Sequence, residues 1–239
     1  MEEMRLQKYM SQAGICSRRK AEDYISRGLI SVDGVVATIG MKVTGKEEIK
    51  LLDSAIVEQK NLVYYKINKP RGIVTTCAGN GDTAIVDIID IKERVFPIGR
   101  LDKETTGLLL LTSDGRLANY LMHPKYGHSK EYIVEVFGPI EDKALDKMSK
   151  GIFILGSVTN EAVVKRLSSG TFSITLTEGR NRQIRRMVEA VGHQVKKLKR
   201  IRVENIDLGT LGLGEYKHLS EKEINNLFKK LGIERDKIK

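Results

Sequence analysis

No apolar run in the 239 residues approaches the ~20 needed to cross a bilayer, which argues against a membrane-spanning helix. The opening Met1-Glu2-Glu3-Met4-Arg5 also lacks the apolar core of a secretion signal, so a cytoplasmic chain with no membrane partner is expected. Cysteine is scarce. Cys16 and Cys77 lie far apart without CxxC or histidine spacing, which leaves no basis for a disulfide framework or a zinc site and predicts two reduced, packed thiols. His123, His128, His193 and His218 form no ligand cluster, so no metal is expected and these four read as surface or packing residues. The glycine-rich residues 77–83 lack the Lys-Ser/Thr ending of a phosphate-binding loop, which argues against nucleotide cleavage. No internal repeat is present, and only the tail ERDKIK reads as frayed.

What is present is a soluble globular composition, 41% hydrophobic and 30% charged, long enough for one sizeable core or a medium domain with a small appendage. The net charge is +10, which by itself would suit nucleic acid, anionic lipid or an acidic protein. Its distribution separates these. Residues 180–202 hold nine Lys or Arg against the single Glu189, a concentrated footprint that favours a track for nucleic-acid phosphates.

Residues 1–52 read as a small unit. Leu6, Tyr9, Met10 and Ala13 recur at helical spacing before Gly14, and Ser17 can cap a second helix carrying Ala21, Tyr24 and Ile25 up to Gly28. Asp33-Gly34 then joins residues 29–32 and 35–38 as a two-residue hairpin, with further short strands at Val43 and 49–52. Arg5, Lys8, Arg18, Arg19, Lys20 and Arg27 line the polar helix faces. The polar residues 53–61 are the expected linker. Residues 62–239 form the second unit, with strands at 62–67, 130–136, 162–166 and 171–177, a turn at Asn68-Lys69-Pro70-Arg71-Gly72, and helices at 114–122, 141–150 and 184–191. A capping box, Ser220-Glu221-Lys222-Glu223, opens a final helix that ends near Gly232. The element order predicts an α+β class.

Between an apolar segment at 94–98 and the Leu108–Leu111 run lies the charged loop Gly99-Arg100-Leu101-Asp102-Lys103-Glu104-Thr105. Asp102 is thereby presented at a strand end, where local context leaves it open between a turn cap and a catalytic carboxylate. Tyr132 shares a strand face with Val134 and Val136, the position of a core tyrosine. Ile184, Met187, Val188 and Val191 share a helix face, which turns most of Arg180, Arg182, Arg185 and Arg186 outward as a basic comb. Arg185, next to Ile184, is partly buried on this reading and would need a carboxylate partner.

These segments together resemble the pseudouridine synthases, in the branch that modifies ribosomal RNA. Gly99-Arg100-Leu101-Asp102 is similar to the family's GRLD motif, Lys130-Glu131-Tyr132 to its KxY motif, and Gln183-Ile184-Arg185 to its third motif. RLQKYMSQAGICSRRKAEDYISRGLISVDGVVA resembles the S4 RNA-binding module, although Gly45-Lys46-Glu47-Glu48 stands where such modules usually carry a Gly-Asp turn. Arg182-Gln183-Ile184-Arg185-Arg186 and EYKHLSEKEI look most like the B/F branch of the enzymes that act on the large ribosomal subunit.

The resemblance implies a mixed, largely antiparallel sheet flanked by helices, preceded by the S4 unit. It further implies Asp102 as the catalytic residue, Arg185 as its ion-pair partner, Tyr132 stacked on the target base and Leu198 beneath it. Arg100, Arg180, Arg182 and Gln183 are then expected at the substrate, and the six basic residues of the S4 unit on RNA phosphates. Isomerising uridine detaches uracil from ribose and rejoins it through carbon, which formally requires no cofactor. The implied partners are ribosomal RNA and a ribosomal subunit or assembly precursor, met by a monomer whose S4 unit is a flexible tether. Two other readings compete. A glycoside hydrolase would need two opposed carboxylates, and Asp102 and Glu104 are near neighbours in one loop. A non-catalytic S4-type protein of ribosome assembly would explain the charge, but not Asp102, Tyr132 and Arg185 together.

Overall fold

The computed structural model describes residues 3–52, 54–56, 62–77 and 81–235. Helix α1 (Leu6–Gln12) buries Leu6 and Met10, and Gly14 turns the chain beyond it at φ +78°. The Ser17 hydroxyl accepts from the Lys20 amide and caps α2 (Arg18–Ser26), which buries Ala21 and Ile25. Asp33 and Gly34 both adopt positive φ, as a type I′ turn requires, and join strands Ile30–Val32 and Val35–Val36. Glu47 replaces the missing Gly-Asp turn chemistry. Its carboxylate accepts from the amides of Thr44, Gly45 and Lys46, and these bonds, Thr44 foremost, hold its pKa down to about 2.

The expected linker needs correction at its start. Ser54–Ala55 pairs with Lys50 and Leu51 as a fourth strand beside Ile49–Leu51, because a strand needs only backbone partners and polar residues supply these without a hydrophobic period. Residues 53 and 57–61 lie outside the described residues.

The larger sheet has nine strands. Its main path runs Val163–Ser168, Thr171–Leu176, Lys130–Val136, Val195–Val203, Thr106–Thr112, Tyr64–Lys69 and Tyr216–His218, with Phe96–Ile98 and Ile206–Asp207 attached at the side. One pairing is parallel, Lys199 with Thr106 and Arg200 with Gly107, and the rest are antiparallel, so the sheet is mixed and largely antiparallel. The unbroken Leu run is explained by burial on both faces. Leu108 and Leu110 pack with α3 (Gly115–Met122) and α6 (Glu221–Leu231), while Leu109 and Leu111 pack with Ile67, Ile85 and Leu101. A second core gathers Val134, Phe172 and Ile174 with α4 (Asp142–Lys150) and α5 (Gln183–Ala190).

Gly107 marks where loop becomes strand. It sits at φ +105°, and a Cβ there would lie 2.2 Å from the Arg200 carbonyl oxygen. Only glycine permits this parallel contact. Asp114 caps α3, and Ser220 and Glu223 close the expected capping box on α6. Two sequence expectations differ from the structure. Cys77 is exposed, whereas Cys16 is buried, and both are free. The tail is anchored at Arg235, which bonds Glu221 and Asn225 across the last helix, while residues 236–239 lie outside the described residues. No helix among the described residues is long and apolar enough to cross a membrane.

Candidate active site

The Asp102 loop is held in place mainly through its backbone. Thr75 Oγ1 donates to the Leu101 carbonyl at 2.9 Å and accepts from the Leu101 amide at 3.2 Å. The fully buried Lys69 donates through Nζ to the carbonyls of Pro70 at 2.9 Å, Ile73 at 2.7 Å and Lys103 at 3.4 Å. Gly72 N donates to Lys103 O, Arg71 binds Glu104, and Lys103 binds Asp82. Burial pushes the Lys69 pKa down to about 8, against the pull of Asp102 and Glu104. Between these anchors the Asp102 carboxylate stays one-third exposed and makes no side-chain hydrogen bond among the described residues. Glu104, in the same loop, is held in an ion pair with Arg71.

Two guanidiniums approach Asp102 from the opposite wall. Arg185 Nε and Arg182 Nη1 each lie 3.8 Å from Asp102 Oδ2, within ion-pair range but beyond hydrogen-bond length. Arg185 is the deeper of the two. Its Nη2 reaches Thr105 Oγ1 at 3.5 Å, while Nε is buried without a hydrogen-bond partner. Burial and Arg182 lower its pKa, opposed by Asp102 and Glu104, and it remains a cation throughout the physiological range.

Two of the expected substrate residues are engaged by the protein itself. Arg180 donates to Glu178 Oε2, to the carbonyl and hydroxyl of Ser157, and to the Val158 carbonyl. The side chain of Gln183, 4% exposed, accepts from Arg180 N and donates to Glu178 Oε1 at 2.6 Å. Both brace the start of α5, where Arg182 is the N-cap and from which Arg185 projects. Arg100 is exposed at the cleft.

The cleft between these walls has a volume of about 510 Å³. Asp102, Arg182 and Arg185 lie on its sides, together with Tyr132, Leu198 and Arg200. Tyr132 is half-buried between two core clusters, and Leu198 is 6% exposed. The space suits one planar ring with its sugar, within the usual range of small-molecule sites. Sequence reasoning missed Lys69, Thr75 and Glu178 as supports of the loops, and Arg200 as a cleft residue. Strand parity alone carried a signal for Arg200, two residues from the inward Leu198.

In the S4 unit, Arg5, Lys8, Arg18, Arg19, Lys20 and Arg27 are all exposed. Lys20 and Arg27 reach Asp23 at 3.2 and 3.7 Å, and Lys20 also sits over the Tyr24 ring. Arg18, Arg19 and Lys20 occupy the first turn of α2, where the helix dipole disfavours cations unless an anion is present. No group of three or more His, Cys, Asp or Glu suited to a metal occurs among the described residues.

Comparison with known proteins agrees with this geometry. The model of the RNA pseudouridylate synthase family matches residues 63–190, and that of the S4 domain matches residues 4–49. The dual-specificity RNA pseudouridine synthase RluF of Escherichia coli K12 is 44% identical over 228 residues, covering 95% of this chain and 79% of the relative. Ribosomal large subunit pseudouridine synthase B of Bacillus subtilis is 42% identical over 232 residues, covering 93% and 95%. A crystal structure of a pseudouridylate synthase superposes with a TM-score of 0.70 at 29% identity, covering 94% of this chain and 99% of that one. An S4 unit followed by a mixed sheet, an Asp-bearing loop facing two arginines, and similarity along almost the whole length lead to one conclusion: the chain belongs to the RNA pseudouridylate synthase family and carries an S4 domain ahead of its synthase domain.

Proposed function

We propose that this enzyme isomerises a uridine of 23S ribosomal RNA, in the large subunit, to pseudouridine, with Asp102 as its catalytic carboxylate. The observation that carries the reading is the Asp102 carboxylate 3.8 Å from Arg185 and Arg182 beside a 510 Å³ cleft. Ribosomal large subunit pseudouridine synthase B of B. subtilis, 42% identical, supports the choice of RNA.

The target nucleotide leaves its stack at a cost of a few kcal/mol, offset by stacking on Tyr132 and packing over Leu198. Asp102, facing the Arg185 guanidinium at 3.8 Å, acts on ribose or base as nucleophile or as the base that opens glycal formation. Arg182 and Arg100, exposed beside the cleft, meet the RNA backbone, while Arg180 and Gln183 hold the Arg182–Arg185 segment in position. The S4 residues Arg5, Lys8, Arg18, Arg19, Lys20 and Arg27 grip RNA phosphates as a tether that raises local RNA concentration. The protein works as a cytoplasmic monomer on a ribosomal subunit or assembly precursor, its domains spanning 1–52 and 62–239 apart from the strand at 54–55.

The test is incubation with unmodified 23S and 16S RNA and mapping of pseudouridine by chemical probing. Product in 23S RNA that disappears with Asp102→Asn is expected. Tight RNA binding without product would instead support a non-catalytic S4-type assembly protein.

A further inference from the structure

Arg200 is the most enclosed cation of the cleft, 3% exposed, and it has more donors than partners. Its Nε donates to the Leu108 carbonyl at 2.7 Å. Its Nη2 is buried with no hydrogen-bond partner, and Arg200 forms no ion pair among the described residues, the carboxylates of Glu131 and Asp207 being taken by its neighbour Arg202. Leaving a charged donor unsatisfied inside a protein is costly, and a chain with 31 acidic residues has the means to avoid it. The partner is therefore sought among groups that enter the cleft.

Position restricts what that group is. Arg200 pairs in register with Tyr132 on the neighbouring strand and stands two residues from Leu198, on the same sheet face. A flipped nucleotide enters base first and leaves its phosphates near the mouth, where Arg182, about half exposed, waits. The small accessible part of the Arg200 guanidinium, which lines the cleft beside Tyr132 and Leu198, consequently meets the edge of the base. Uracil offers two carbonyl oxygens there, O2 and O4. Lys130, whose Nζ donates to the His128 carbonyl, lines the same cleft and adds a second positive charge.

Resting on the reading that the cleft admits a uridine, we infer that Arg200 binds a carbonyl oxygen of the flipped uracil and stabilises the anion formed as uracil leaves ribose. When the C1′–N1 bond breaks, its electron pair stays with uracil and spreads over N1, O2 and O4. The ring turns, C5 bonds to C1′, the C5 hydrogen leaves as a proton, and N1 takes one up. Electrons and atoms balance with no further reactant. A fixed guanidinium at a carbonyl oxygen acts where negative charge grows, which is the most effective place for a preorganised donor. The same contact selects against cytosine if the oxygen is O4, since an amino group there would face a cation.

The experiment compares the full-length chain with Arg200→Met and Arg200→Lys in single-turnover assays on ribosomal RNA. Substrates carry uridine, 2-thiouridine or 4-thiouridine at the target, and RNA affinity and thermal unfolding are measured in parallel. Arg200→Met is expected to slow turnover by about 10² to 10³-fold, the scale for one preorganised donor, with little change in RNA affinity. One of the two thio substitutions should slow the unsubstituted enzyme and leave Arg200→Met unaffected. If Arg200→Met fails to fold, Arg200→Lys carries the same thio comparison, with the thio effect reduced. A thio effect of equal size with and without Arg200 would overturn the inference and leave Arg200 as a support for the Leu108 strand. A chain that makes no pseudouridine at all would remove the functional reading and this inference with it, whereas normal turnover by Arg200→Met removes this inference alone.

Discussion

The S4 unit and the synthase cleft are built from the same basic residue types and use them in opposite ways. In the S4 unit Arg5, Lys8, Arg18, Arg19, Lys20 and Arg27 stand exposed on helix faces and at a helix start, with Lys20 and Arg27 reaching Asp23 and Lys20 also the Tyr24 ring. At the cleft Arg185 and Arg200, and behind the Asp102 loop Lys69, are largely buried, with part of their bonding capacity unmet or desolvated. Exposed charges supply affinity that salt screens, while buried ones fix geometry and act on the reacting group. The difference predicts which measurable quantity each region controls.

Asp102→Asn should separate the two most sharply. Product formation is expected to fall by ~10⁴-fold or more, the scale for removing a nucleophile or base, with RNA affinity maintained. A matching fall in affinity would break the comparison.

Gly107→Ala and Gly34→Ala test the same contrast in stability. Gly107 abuts the Arg200 backbone, so the added methyl should cost about 2 to 4 kcal/mol in urea unfolding, from overpacking and positive φ together. At Gly34 in the S4 hairpin a Cβ meets nothing within 4 Å, and only the conformational cost of ~1 kcal/mol is expected.

Lys69 supplies a pH test. Above pH 8 the folded chain releases its proton, and the Asp102 loop loses the ammonium that joins three carbonyls. Single-turnover rates should fall with an apparent pKa near 8, a step absent from Lys69→Met, whose rate is low throughout. Stability should move the other way. Between pH 8 and the ordinary lysine value of about 10.4 the unfolded chain binds the proton and the folded chain does not, so this group makes unfolding harder as pH rises.

The smallest effect belongs to the S4 unit. Arg18→Gln with Arg19→Gln should weaken RNA binding and reduce the slope of log K against log salt by ~1.4 to 1.8, two phosphate contacts' worth. Rates at saturating RNA should not change.

Much of the fold was legible because its signals are local. The Ser17 and Ser220 caps, the Asp33-Gly34 turn and the 130–136 strand each depend on residues a few positions apart. The 54–55 strand was hidden by its polar composition. In the candidate site, motif resemblance drew attention to Asp102, Tyr132 and Arg185, and the fold brings all three to one cleft. Their supports were not legible, because Lys69 and Thr75 act on backbone carbonyls of a loop some thirty residues away, which leaves no sequence period. Arg180 and Gln183 illustrate the converse. The resemblance placed them at the substrate but could not say that Glu178 would occupy them.

The parallel contact of Thr106 and Gly107 with Lys199 and Arg200 joins segments more than ninety residues apart. During synthesis the S4 unit has all its strands before this junction exists, and domains emerging first fold first. A nascent chain thus has its S4 unit well before it has its cleft, and a truncation after Ala55 but ahead of Leu198 keeps the first and loses the second.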